Sequence, residues 1–181
     1  MIPRVRDKDQ IAGLDEMLEW CISILGNSLV VVEVGCYLGE STERFLFRPE
    51  IRMLFCVDFW NDDFYNSQYG LYNGDEKNIE TLFDKTIEPY TDRATKIKNT
   101  SVNASKTFDD YSLDMVYIDA DHKYESVTED IACWLPKIKQ NGIICGHDYI
   151  GYRGVYDAVS NKFGFPDAIF FDSSWAKKIL W

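Results

Sequence analysis

The chain carries two histidines, His122 and His147, and each stands next to or near an aspartate that follows an apolar run. Met115-Val116-Tyr117-Ile118 leads into Asp119-Ala120-Asp121-His122, and Ile143-Ile144-Cys145 leads into Gly146-His147-Asp148. Neighbouring parallel strands lie about 4.8 Å apart, so carboxylates ending two such strands can meet. Two carboxylates that close repel unless a proton or a cation lies between them. Hard divalent cations take oxygen ligands and keep several waters, which leaves positions open for a hydroxyl. Asp119 and Asp148 are therefore candidates to hold one divalent ion, with helix capping as the alternative role for either alone. His122, His147 and Asp121 lie beside them, where a ligand or proton-accepting role is open to each histidine.

A second group precedes these. Leu29-Val30-Val31-Val32 runs into Glu33-Val34-Gly35-Cys36-Tyr37-Leu38-Gly39. Gly35 and Gly39 allow a tight turn and a close backbone approach to a ligand, beside the amides that open the next helix. Asp58 ends the next apolar run, Met53-Leu54-Phe55-Cys56-Val57, 19 residues after Gly39. A carboxylate there can accept from both hydroxyls of a ribose. Turn and aspartate together fit a nucleoside-containing cofactor, although the dinucleotide fingerprint G-x-G-x-x-G is absent.

The elements that position these groups follow from periodicity. Apolar spacing predicts helices near 9–25, 41–47, 75–88, 125–134 and 154–162. Apolar runs predict strands near 29–32, 53–57, 95–98, 115–118, 143–145, 168–172 and 175–180, with a turn at Asn141-Gly142. Strands alternating with helices indicate an α/β fold with a mostly parallel seven-stranded sheet, helices on both faces and right-handed crossovers. Ligands bind such sheets outside the carboxyl ends of the strands, where Glu33, Asp58, Asp119 and Asp148 all fall. The aromatic stretch from Phe59 to Tyr72 is readable as a lid, a sugar-stacking wall or a locally packed loop.

At 181 residues the chain suits one domain, spanning 1–181. Its net charge of −11 argues against a nucleic-acid partner, and Arg93, Lys96 and Lys98 read as a solvated face. No apolar run approaches a membrane helix of about 20 residues, and the start lacks the apolar region of a signal peptide. A cytoplasmic protein is the expectation. Cys21, Cys36, Cys56, Cys133 and Cys145 form no CxxC pair and read as reduced core residues. The oligomeric state stays open, with a homo-oligomer among the options.

Three segments carry a family resemblance: residues 31–41, residues 114–127 (DMVYIDADHKYESV) and residues 141–149 (NGIICGHDY). They resemble class I S-adenosylmethionine-dependent methyltransferases. Within these the similar branch is the metal-dependent macrolide and aminocoumarin sugar O-methyltransferases, with cephalosporin-type relatives. The resemblance implies a Rossmann-like fold and transfer of a methyl group to a hydroxyl on a small molecule or sugar. It places the methionine part of S-adenosylmethionine at the 35–39 turn, with Glu33, Tyr37 and Ser41 around it. Asp58 falls on the ribose, Ser101 by the adenine, and Asp119 at the edge of the same site. Asp119 and Asp148 match two positions of a Mg²⁺ site. His147 stands at the third, which shifts the set toward a softer ion such as Mn²⁺. The base of the family lies two or three residues after the first metal aspartate, so Asp121 and His122 are both candidates.

Two other readings compete. Asp119-Ala120-Asp121 is also a D-x-D, the motif by which some glycosyltransferases hold a nucleotide sugar through a metal. A methyltransferase-like domain that binds without catalysing is the other, favoured by a histidine at a metal position.

Overall fold

The computed structural model describes residues 5–61 and 78–180. The expected helix starting at 75 and the aromatic stretch lie partly outside these residues. Helix α1 (Lys8–Leu25) opens on a capping box. The Asp7 carboxylate accepts from the Asp9 and Gln10 amides, and the Gln10 side chain accepts from the Asp7 amide. Its buried face is Leu14, Met17, Leu18 and Cys21, the i, i+3, i+4, i+7 pattern of a helix lying on a core.

Strand β1 (Leu29–Val34) leads through the glycine turn to α2 (Glu40–Leu46), then β2 (Ile51–Asp58). Helix α3 (Ile79–Ile87) is followed by β3 (Ala94–Lys98) and a five-residue helix α4 (Ser101–Ser105), which hydrophobic periodicity did not reveal. Strand β4 (Leu113–Ile118), α5 (Tyr124–Trp134), β5 (Ile138–Gly146), α6 (Arg153–Phe163), β6 (Ala168–Ile169) and β7 (Trp175–Lys178) complete the fold. The strands form one seven-stranded sheet ordered β3-β2-β1-β4-β5-β7-β6. All pairings from β3 to β5 are parallel, and β7 runs antiparallel to both β5 and β6.

β5 is longer than expected. The Asn141-Gly142 turn lies inside it as an irregularity in the β4–β5 register, with Asn141 at φ 65°. β6 and β7 are shorter than the runs at 168–172 and 175–180.

Alternation along the central strands builds two cores. Val31, Met115, Tyr117, Ile143 and Cys145 face α1, α2 and α3. Val32, Val34, Val116, Ile118 and Ile144 face α5 and α6, where Trp134, Ile131 and Val159 pack. A sheet covered on both faces explains the continuous apolar runs of its strands. The chain order leaves β1 toward β2 and β3 on one side, and passes through β4 to β5 on the other. The switch point is thus between β1 and β4, and a crevice opens there.

Candidate functional site

A cleft of about 740 Å³ lies outside the carboxyl ends of β1, β2, β4 and β5. The glycine turn forms one wall. Gly35 sits at φ 91°, and a Cβ on it would fall 2.1 Å from the Asp119 carbonyl oxygen. Only glycine lets β1 and β4 end this close. Gly39, at φ 87°, starts α2 beneath the cleft and does not line it.

Asp58 is buried and held from both sides. Its Oδ2 accepts from the Tyr37 amide and its Oδ1 from the Trp60 amide, each at 2.9 Å. The Trp60 indole donates back to the Tyr37 carbonyl. The turn and the end of β2 are thereby one rigid unit on the cleft wall, with Asp58, Phe59 and Tyr37 all lining it.

Glu33 takes a different place. It does not line the cleft; fully buried, it accepts from the hydroxyls of Ser41 and Thr42. Burial pushes its carboxyl up to about 7 against those two hydrogen bonds. Ser41 lines the cleft while its hydroxyl is committed to Glu33. Cys36 and Cys56 lie against Glu33; burial raises the Cys36 thiol, and the Cys56 thiol, lowered by its contact with Cys36, is raised on balance by burial.

At the other end Asp119, His122 and Asp148 converge, each bringing a ligand atom within 4.8 Å of the other two. Asp148 is in the left-handed region at φ 64°. Its Oδ2 accepts from His122 Nε2 at 2.8 Å and its Oδ1 from His147 Nδ1 at 3.1 Å. Burial works to raise Asp148, but the two imidazoles outweigh it and hold the carboxyl well below the usual range. His147 is turned inward and is not among the converging three. Its Nε2 faces Asp172 at 3.5 Å, an ionic contact without hydrogen-bond geometry. Burial opposes charge on His147, yet the Asp148 hydrogen bond and the Asp172 carboxylate push it up to about 10. The hydrogen bond to Asp148 also raises His122, against burial. The His122 ring stacks on Tyr152, with centroids 4.1 Å apart.

Asp121 lines the cleft but is turned to the first turn of α5, where it accepts from Ser126 Oγ at 2.8 Å. Burial works upward on it, and Ser126 and Lys123 outweigh that and lower it. Asp119 and Asp121 therefore point to different partners.

Arg6 is the residue that sequence reading missed. Its guanidinium lines the cleft and pairs with Asp119 Oδ2, which also accepts from the Tyr117 hydroxyl. The Val5 and Arg6 amides donate to Glu40 Oε2 at 2.7 and 2.9 Å, tying the segment before α1 to the start of α2. Burial disfavours charge on Arg6, but the surrounding groups, Tyr117 and Asp119 first, keep it fully protonated. The motifs hold no signal for this contact, because it joins positions 113 residues apart.

Asn99, Thr100, Ser101 and Val102 line the cleft beyond Asp58. The Trp134 indole donates to Ser101 Oγ at 2.9 Å. Asp130, one turn earlier on α5, also lines this end. It is 6% exposed, and burial raises its carboxyl to about 6 against the nearby Ser101 hydroxyl.

Solved structures with this fold do unlike chemistry. A TDP-rhamnose 3'-O-methyltransferase of calicheamicin biosynthesis matches with TM-score 0.63 and 13% identity, covering 95% of this chain and 80% of that one. A precorrin 8w decarboxylase from Methanobacterium thermoautotrophicum matches with TM-score 0.62 and 15% identity, covering 91% and 75%. At such identities only the fold is shared. An uncharacterized protein of Sinorhizobium fredii, y4gI, is 25% identical over 127 residues, which are 65% of this chain and 13% of that much longer relative. The family model of a methyltransferase domain covers residues 32–149, from β1 through the glycine turn to Tyr149 beyond Asp148. That is more than half the chain and includes both ends of the cleft: the chain belongs to the methyltransferase domain family.

Proposed function

We propose that the chain transfers the methyl group of S-adenosylmethionine to a hydroxyl on a small molecule or sugar. The observation that carries this reading is the two-ended cleft. A glycine turn with a fixed strand-end aspartate forms one end, and a carboxylate–imidazole cluster the other. The cofactor's methionine part would lie along residues 35–37, its ribose at Asp58 and its base toward Ser101. The exposed ring of Tyr152 beside His122 offers an acceptor a flat apolar face, and the net charge of −11 disfavours a nucleic-acid acceptor.

Methyl transfer is an in-line displacement: the acceptor oxygen attacks the methyl carbon, the C–S bond breaks and its electron pair stays on sulfur. The protein must hold oxygen and carbon about 3–3.5 Å apart and take the hydroxyl proton. Of the two candidate bases, Asp121 is lowered and occupied by Ser126, whereas His122 is raised and oriented by Asp148. His122 is the better proton acceptor, as a base tuned near the working pH is most effective.

A second reading rests on the 4.8 Å convergence. Two carboxylates and an imidazole fit a divalent ion, and suit Mn²⁺ or a similar transition ion better than Mg²⁺. Asp119, His122 and Asp148 would hold it, rather than His147. Bound there, such an ion supplies Lewis acidity that lowers the pKa of a hydroxyl. Asp119 would then share its carboxylate with Arg6, and Asp121 would be left as the proton acceptor.

The test is His122→Gln assayed with S-adenosylmethionine and a panel of hydroxylated small molecules and sugar nucleotides, read by mass gain. Turnover should fall roughly 10²–10⁴-fold while S-adenosylhomocysteine still binds. Unchanged turnover removes His122 as base. Loss of wild-type activity on chelation, restored by Mn²⁺, selects the metal reading. Cofactor binding with no methylated product would leave a binding domain.

A further inference from the structure

We infer that Arg6 is a built-in cation that takes the place of a divalent ion on Asp119, so that the cluster of Asp119, His122 and Asp148 works without a metal. Two carboxylates this close need a proton or a positive charge beside them, and here the chain supplies it. Asp119 Oδ2 pairs with the Arg6 guanidinium and also accepts from the Tyr117 hydroxyl at 3.3 Å. Asp148 is met at both oxygens, by His122 Nε2 at 2.8 Å and His147 Nδ1 at 3.1 Å. The donor set alone suits an ion, but both carboxylates are already engaged. A guanidinium cannot be deprotonated in a protein, so its charge stays on Asp119. An ion at the other oxygen of Asp119 would still lie one carboxylate away from that fixed charge.

The guanidinium is delivered by a fixed backbone. The Val5 and Arg6 amides donate to Glu40 Oε2 at 2.7 and 2.9 Å, which ties them to the first residue of α2. Asp7 then caps α1, so Arg6 is held between two helix starts. The side chains of Arg6 and Asp119 are only 14% and 11% exposed, and solvent screens like charges poorly in such a setting. With its charge already balanced, the cluster is suited to the route in which His122 takes the hydroxyl proton. The role of the cluster rests on the proposed function, but ion binding tests Arg6 with no methyl transfer needed.

The experiment is Mn²⁺ titration of the full chain, read by calorimetry and by the electron paramagnetic resonance of free Mn²⁺. Wild type is compared with Arg6→Met, with Arg6→Gln, and with Arg6→Met combined with Asp119→Asn. Arg6→Met should bind Mn²⁺ at least about tenfold more tightly than wild type, since a repelling charge is gone. Arg6→Gln removes the charge but keeps a donor for Asp119, so it should show the gain with a smaller loss of stability. Adding Asp119→Asn should abolish the gain. Mn²⁺ should also raise the melting temperature of Arg6→Met more than that of wild type. A damaged fold cannot produce tighter binding, which separates this role from a merely structural one. Equal affinity in wild type and both single variants overturns the inference, as does no binding in any of them. A gain that survives Asp119→Asn overturns it too, because the ion would then sit elsewhere. If wild type fails to bind S-adenosylhomocysteine, the cofactor reading fails, while the Mn²⁺ comparison still decides the role of Arg6.

Discussion

Glu33→Gln should abolish a large part of the pH dependence of folding stability. The carboxyl is fully buried, and burial outweighs the Ser41 and Thr42 hydroxyls and the Arg6 charge, pushing it from an ordinary 4.5 up to about 7. The folded state therefore holds this proton more tightly than the unfolded chain. Below about pH 4.5 both states are protonated and the group costs nothing. Between 4.5 and 7 the unfolded chain ionises first, so it binds fewer protons and stability falls as pH rises. Above 7 both are ionised and the penalty is complete. A shift of about 2.5 units at 1.36 kcal/mol each makes that penalty about 3 kcal/mol. Glutamine keeps the shape, accepts from one hydroxyl and donates to the other, and has no proton to lose. Urea unfolding of both proteins at pH 4.5, 5.5, 6.5 and 8 gives the difference directly, provided the m-values agree. The gap between variant and wild type should widen by about 3 kcal/mol toward high pH. Parallel stability curves across that range would refute the reasoning, since they would mean Glu33 titrates alike in both states.

Asp58→Ala should weaken S-adenosylhomocysteine binding at least about 10-fold and also destabilise the unliganded protein by about 1–3 kcal/mol, since two amides lose their acceptor. Calorimetry and urea unfolding separate the two effects. Arg6→Met leaves Asp119 without its counter-charge in a nearly closed setting, and should cost about 3–5 kcal/mol of stability. Asp119→Asn in the same background should cost little more, and strictly additive single and double variants would rule out the coupling.

Much of the fold was legible because its central strands are covered on both faces and so appear as unbroken apolar runs. Asp58, Asp119 and Asp148 could be placed at strand ends for the same reason. What stayed hidden depends on contacts that local pattern does not encode. The five residues of α4 are too few to show a helical period. The β5 irregularity converts an apparent turn before the strand into part of it. His122, not His147, joins Asp119 and Asp148, because Asp148 sits in a left-handed conformation and His147 is directed inward to Asp172. Asp121 stands two residues beyond Asp119, but β4 ends at Ile118, so spacing alone did not show that its carboxylate accepts from Ser126 of α5.

The arrangement of charge decides which atom of the site can act. Asp172, His147, Asp148 and His122 alternate acid and base from the interior to the cleft, so each charge lies against its opposite and the buried members need no solvent. In such a chain the outermost imidazole is fixed at one nitrogen. His122 Nε2 lies 2.8 Å from Asp148 Oδ2, and a carboxylate that only accepts favours the hydrogen on that nitrogen, which determines the state of the other. Neutral His122 is therefore the tautomer protonated at Nε2, with its lone pair on Nδ1. Stacking on Tyr152 at an interplanar angle of 23° fixes the plane in which that lone pair points. Under the proposed reading the hydroxyl proton must then pass to Nδ1, and Asp148 stabilises the imidazolium that forms without taking a proton itself, because the two imidazoles hold its carboxyl far below neutrality.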